Sequence, residues 1–367
     1  MLLSDCNKTP ISPFAGVQFG KTFLTENMMH LSNPPLQKTA ATILTICLMC
    51  IAALGSGCAS DKQVIDQAND VHSGIAPAVI TDPVLDGYVQ QIGDRIVAVA
   101  REMHEQGYGP KAHKSEDAQW MFSNIQFHLV NSPTLNAFTT GGQHIYLYSE
   151  LFTSTQTEDA FAAVVAHEFA HIYGRHVQKG MNRQYAILGG AALAAVGGAA
   201  IAGEDNRMTG AAVGAGVGLA AGQFLGLGFT RDDEDEADKL GFQFYVRAGY
   251  DPAKFADFFR LMIEKGHDTS PEITSSHPKL ANRVANAERR AKELPPIASQ
   301  WRKPNLVGQA KYEQLQQRAI SYAKKVPKDK TLEAAQLMLA AFPSCVAAED
   351  LPEQKKAQEE LMKEIKK

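Results

Sequence analysis

With 367 residues, 45% of them hydrophobic, the chain can bury one substantial core and carry an appendage. A net charge of −4 with no long basic cluster argues against nucleic acid as a partner. Of five cysteines, Cys47, Cys50 and Cys58 crowd into one apolar region, which is neither a disulfide framework nor a zinc ribbon.

That region, TILTICLMCIAALGSGC (42–58), is an apolar run preceded by Lys38 and closed by small residues and Cys58. It is short for a membrane span and reads as the core and cleavage site of a secretory signal. Its close on Cys58 resembles a bacterial lipoprotein signal, in which this cysteine is lipidated and becomes the mature N-terminus. Gly55 departs from the large aliphatic usual three residues before the cysteine, so a plain cleaved signal or an uncleaved anchor stays open. Residues 1–27 lie beyond what such a signal needs, and Met28 or Met29 offers an alternative start. The leader, 1–58, is set apart from the fold.

The first helix expected is PVLDGYVQQIGDRIVAVAREM, with Leu85, Val89, Ile92 and Ile96 at helical intervals and Asp82 as N-cap before Pro83. NIQFHLV (124–130) alternates as a strand, NSPTLNAFTTGG reads as turn chemistry, and QHIYLYS is a second strand rich in aromatic and β-branched residues. An extended peptide can add to the edge of this strand through main-chain hydrogen bonds. No functional role follows for His144 or the neighbouring tyrosines.

AAVVAHEFAHIYGRH (162–176) carries the chemistry. No Gly or Pro interrupts Glu158 to Tyr173, so the run is one helix. On it His167 and His171 are one turn apart and aim at a common point. Glu168 sits beside the first. In the H-E-x-x-H arrangement two imidazoles bind zinc and the glutamate is the general base; a pair of hydrogen-bonded core histidines is the alternative. Gly174 ends the helix, and Arg175 and His176 beyond it suit its C-terminus structurally. A catalytic zinc takes three protein ligands. TRDDEDEADKLG (230–241) supplies the best third, with Glu234 and Asp238 on one helical face; spacing alone leaves open which is the ligand and which holds a histidine N–H.

Between these segments, AILGGAALAAVGGAAIAG (186–203) and GAAVGAGVGLAAGQFLGLG (210–228) form two Gly/Ala arms around a polar tip. They form either a membrane-dipping or partner-binding hairpin or one packed against the soluble domain. The scarcity of large aliphatics favours the second. After the Pro-punctuated linker AKELPPIASQWRKP (291–304), two or three helices follow, the last well solvated.

HEFAH, then EDEAD, then SSHPKLANRV after RAGYDP, with NAFTTGGQHIYLYSEL ahead of them, resemble peptidase family M48. The likeness runs from ITDPVLDGYVQQIGDRI (80–96) through NRVANAE (282–288). It implies an α+β, mostly helical fold: a zincin-like metallopeptidase domain (59–290) with a small β-sheet and a C-terminal helical extension (291–367). It implies one Zn²⁺ per chain on His167, His171 and Glu234, with Glu168 as base and Asp238 supporting the site. The H-P motif places His277 near the metal, as an oxyanion stabiliser or as a ligand that keeps the site latent. The function expected is hydrolysis of peptide bonds in proteins of the bacterial envelope, with a role in protein quality control, by a periplasmic enzyme lipid-anchored to a membrane. A membrane-anchored chaperone-like protein with a latent zinc site is the rival.

Overall fold

The computed structural model describes residues 60–108, 116–184, 229–267, 279–325, 329–343 and 352–365. Cys58, the Gly/Ala arms and His277 lie outside the described residues. The chain divides into two compact units, and the larger comprises Ser60–Gly180 with Ala212–Lys367. Of the other, only residues 181–184 are described, and they are helical.

The larger unit opens with a helix that the sequence reading passed over. Helix α1 (Asp61–Ile75) is capped by Ser60, whose hydroxyl accepts from the Gln63 N–H at 3.2 Å, and it buries only Val64, Ala68, Val71 and Ile75. Four apolar positions in a polar run are one narrow stripe, faint beside the leader that precedes it. Helix α2 (Pro83–Glu105) starts as expected, with the Asp82 carboxylate accepting from the N–H groups of Val84 and Leu85 at 3.0 and 3.2 Å.

Three short strands follow: β1 (Gln126–Val130), β2 (Ala137–Thr139) and β3 (His144–Tyr148), in the order β1-β3-β2. β1 runs parallel to β3, and β2 runs antiparallel to it. Two expectations change here. The segment read as turn chemistry contains β2, because Ala137, Phe138 and Thr139 are all buried against their neighbours. And β3, read as the strand offering an edge to a peptide, is central, its backbone groups already paired on both sides. The sheet separates two environments. Phe127 and Ile145, paired in register, share the face covered by α2, where a Cβ on Gly93 would fall 2.1 Å from the Phe127 ring. Glycine there lets helix and strand approach. The opposite face carries His128, His144, Tyr146 and Phe138 and is covered by α1 and by the C-terminal helices.

β3 passes through α3 (Ser149–Ser154) into α4 (Glu158–Tyr173), which carries the histidine motif and in which every residue is buried. A helix buried all round must satisfy its polar side chains internally. At its N-terminus Glu158 accepts from the N–H groups of Leu306 and Val307 and from the Tyr88 hydroxyl, at 2.6, 3.1 and 3.0 Å. Asp159 accepts from the N–H of Asp251 and the amide of Asn305. Both carboxylates lie in the first turn, where the helix dipole favours negative charge. They also fasten the Pro-punctuated connection at residues 304–308 to the core.

Helix α5 (Arg231–Arg247) opens on a capping box between Thr230 and Asp233 and packs along α4. After α6 (Asp257–Glu264) and α7 (Leu280–Lys292) come α8 (Gln309–Ala323), α9 (Lys330–Ala341) and α10 (Pro352–Ile365). α8 and α9 are part of the packing: Arg318 grips the α2 cap Asp82 with 2.8 Å contacts to both oxygens, and the Tyr148 hydroxyl donates to the Leu339 carbonyl at 2.6 Å. Among the described residues no helix is long and apolar enough to cross a membrane.

Candidate metal centre

The centre lies where α4 and α5 touch most closely. Gly241 makes that contact possible, because a Cβ there would lie 3.1 Å from the α4 backbone at Ala166 and His167. Backbone cannot yield as a flexible side chain can, so a larger residue would force the helices apart. With the helices this close, one turn of α4 faces one turn of α5. His167 and His171 of α4 and Glu234 and Asp238 of α5 are brought together, and Glu168 follows His167 on α4, each at most 1% exposed.

Hydrogen bonds fix the imidazole tautomers. The Asp238 carboxylate, which only accepts, lies 3.0 Å from His167 Nδ1, so the proton sits on Nδ1 and Nε2 carries a lone pair. On the other ring the chain is one member longer. Glu236 accepts from His176 Nε2 at 3.2 Å, and His176 Nδ1 then accepts from His171 Nδ1 at 2.8 Å. His171 Nε2 is therefore also a lone pair. The two Nε2 atoms stand 3.0 Å apart, with the Glu234 oxygens 3.5 Å from His167 Nε2 and 3.7 Å from His171 Nε2.

These distances match a metal's needs. Tetrahedral zinc with bonds of about 2.0–2.2 Å holds its donor atoms about 3.3–3.6 Å apart. Two ring nitrogens converge at 3.0 Å, with the other nitrogen of each ring engaged on its far side, an arrangement satisfied by a shared proton or by a metal cation between them. Three carboxyl groups, Glu168, Glu234 and Asp238, are buried here with the guanidinium of Arg283, an acid-rich surrounding that suits a cation. Burial acts against protonation of His167, but hydrogen bonds to Asp238 and Glu234 outweigh it and raise its pKa to about 9. Among protein groups alone this ring prefers to be charged, so a metal entering here displaces a proton. Burial holds His171 well below its ordinary value. The hydrogen bond from His176 draws Glu236 down to about 2, against burial and with help from Lys179 at 2.7 Å.

Arg283 of α7 was missed in the sequence. It is 1% exposed and forms a two-pronged pair with Asp238, Nε to Oδ2 at 2.9 Å and Nη2 to Oδ1 at 2.7 Å. Nη2 also lies 3.4 Å from Glu234 Oε2, and the guanidinium covers the Phe259 ring at 4.2 Å. Burial pushes Asp238 up, and Arg283 together with His167 overcomes it, holding the carboxyl below its ordinary range. The one signal was an arginine in a segment otherwise spaced as an amphipathic helix; nothing local marks it as buried. His176, read as structural, is the support of His171. Arg175 stands at φ 54° and pairs with Asp61 at 3.0 Å, linking the end of the metal helix to α1.

A sequence profile described as peptidase family M48 matches residues 88–291. The chain is 30% identical over 230 residues to the beta-barrel assembly-enhancing protease of Escherichia coli (strain K12), covering 62% of this chain and 43% of that protein. Its counterpart in Yersinia pestis is 31% identical over 222 residues, 59% of this chain and 41% of its own length. The mitochondrial metalloendopeptidase OMA1 of Saccharomyces cerevisiae is 28% identical over 172 residues, 44% of this chain and 45% of its own. The chain thus spans less than half the length of each of these three relatives.

Proposed function

The chain belongs to peptidase family M48, and from that premise we propose that it is a zinc-dependent endopeptidase acting on proteins of the bacterial cell envelope. One observation carries this reading: two imidazole lone pairs and a carboxylate converge in a buried cradle with a further carboxylate, Glu168, beside the first ligand. A purely structural site needs no such base. His167, His171 and Glu234 would hold the ion. When bound, it supplies Lewis-acid polarisation of the scissile carbonyl and lowers the pKa of water towards ~7.

The remaining steps belong to the protein. Glu168 takes the proton of the attacking water on its carboxylate and delivers it to the leaving amine nitrogen. Asp238 and the His176–Glu236 pair keep both rings in the tautomer that presents Nε2. Arg283 balances the carboxylates. His277, outside the described residues, is proposed from its H-P motif to contact the same centre.

The bacterial relatives are named for assembly of β-barrel proteins, which supports an envelope substrate and a role in quality control. The leader ending on Cys58 supports a periplasmic enzyme held at a membrane by a lipid. The test uses the full-length chain and compares zinc content and casein cleavage of wild type, Glu168→Gln and Glu234→Ala. Glu168→Gln should keep its zinc and lose cleavage, and Glu234→Ala should lose one equivalent of zinc. Zinc bound at this centre with no cleavage by the wild type would refute the endopeptidase reading. Cys58→Ala should move the protein from the membrane to the soluble fraction; a variant that stays at the membrane would refute the lipid anchor.

A further inference from the structure

A second group of histidines lies on the sheet face turned away from α2. His128 of β1 and His144 of β3 point to this face, and His72 of α1 lies across them. One ring nitrogen from each of the three lies within 4.8 Å of the other two. His144 Nε2 is 3.0 Å from the Asn69 amide oxygen, which only accepts. The proton is therefore on Nε2, and His144 Nδ1 is a lone pair. His128 Nε2 points at that lone pair from 2.9 Å. The Tyr146 hydroxyl meets His72 Nδ1 at 3.0 Å and steadies the third ring.

We propose that His72, His128 and His144 form a second metal site, for a late first-row dication such as Zn²⁺ or Cu²⁺, that fastens α1 to the sheet. The shared proton at 2.9 Å marks the point where two imidazoles already converge, a few tenths of an ångström inside the spacing of zinc's donor atoms. Replacing that proton by an ion needs a shift of a few tenths of an ångström in the pair. The His72 and His144 rings are stacked, 4.3 Å apart and 4° from parallel, so His72 must turn to bring its nitrogen in line. It is half-buried at the surface of α1. Three imidazoles with no carboxylate suit zinc, copper or nickel and disfavour magnesium and calcium. His72 and His128 are only partly covered, which provides an entry path for an ion. The Asn69 carbonyl is the supporting acceptor that ligating histidines use.

Burial and the neighbouring rings hold His128 down at about 3 and His144 at about 4. Their lone pairs therefore meet little competition from protons at neutral pH. The site is independent of the catalytic centre, shares no residue with it, and stands or falls separately.

The test is metal stoichiometry of the full-length protein, stripped with a chelator and titrated with Zn²⁺ and with Cu²⁺, read by calorimetry and by elemental analysis. Wild type should bind two equivalents. His171→Ala should lose one, and His128→Gln and His144→Gln should each lose the other, weakening it at least a hundredfold. His72→Gln, at a half-exposed position, serves if a buried variant fails to fold by circular dichroism, and it should weaken the same equivalent. One equivalent in wild type, or a second that survives in the folded His128, His144 or His72 variants, would overturn the proposal and leave a stacked imidazole cluster only.

Discussion

The two histidine groups are built from the same side chain by opposite means. His167 and His171 lie one turn apart on a single helix, each ring held from behind by carboxylates: Asp238 directly, Glu236 through His176. His72, His128 and His144 come from three elements and are held by an amide and a phenol. The first group is surrounded by fixed charge and is fully buried; the second rests on neutral partners and is partly open. The difference teaches that ligand count alone does not make a catalytic centre. Buried carboxyl groups around the rings, and Glu168 next to His167 in the chain, are what the first group has and the second lacks.

Substitutions at four positions and one pH series sharpen that contrast. The largest effect is expected from Glu168→Gln, which should lower casein cleavage by about 10²–10⁴-fold with metal content unchanged. His128→Gln should leave cleavage within roughly twofold, as expected of a distant independent site; a collapse of turnover in this variant would show the two groups to be coupled. Next, Arg283→Met strips the guanidinium from two buried carboxylates and should cost about 3–5 kcal/mol of stability, read as a fall in the urea midpoint. Arg283→Lys should recover little, because a point charge cannot reproduce the two-pronged contact. Third, His176→Phe removes the acceptor behind His171 and should weaken metal binding at the catalytic centre by about 10–100-fold, measured by competition with a chromophoric chelator. The second group should keep its affinity.

The smallest effect is one of pH, measured in chelator. His128 and His144 titrate at about 3 and about 4 in the folded chain, against an ordinary 6.5, because burial penalises the imidazolium. Below pH 6.5 the unfolded chain therefore takes up protons that the native chain refuses, and stability falls as the pH drops towards 4. Above 6.5 both states are neutral at these rings and the dependence vanishes. His128→Leu should flatten the decline in urea midpoint between pH 6.5 and 4.5. An unchanged slope would show that these rings ionise without unfolding.

By itself the sequence determined the elements whose signal is local. The Asp82-Pro83 start of α2, the uninterrupted span of α4, the H-E-x-x-H spacing and the paired acids on α5 are each set by neighbours within a turn or two, where capping and helical periodicity act. Ligands one turn apart on a regular helix must converge, so His167 and His171 were legible before any tertiary contact was known. Spacing alone left Glu234 and Asp238 equivalent; the docking of α5 on α4 through Gly241 sets Glu234 against both Nε2 atoms and Asp238 behind His167. Tertiary packing also made β3 a central strand, turned a supposed turn into β2, buried Arg283 from another helix, and drew three unrelated histidines into one cluster. None of these has a fixed spacing along the chain. They depend on which surfaces meet, and burial, once it occurs, decides which lone pairs, charges and hydrogen bonds those surfaces must satisfy.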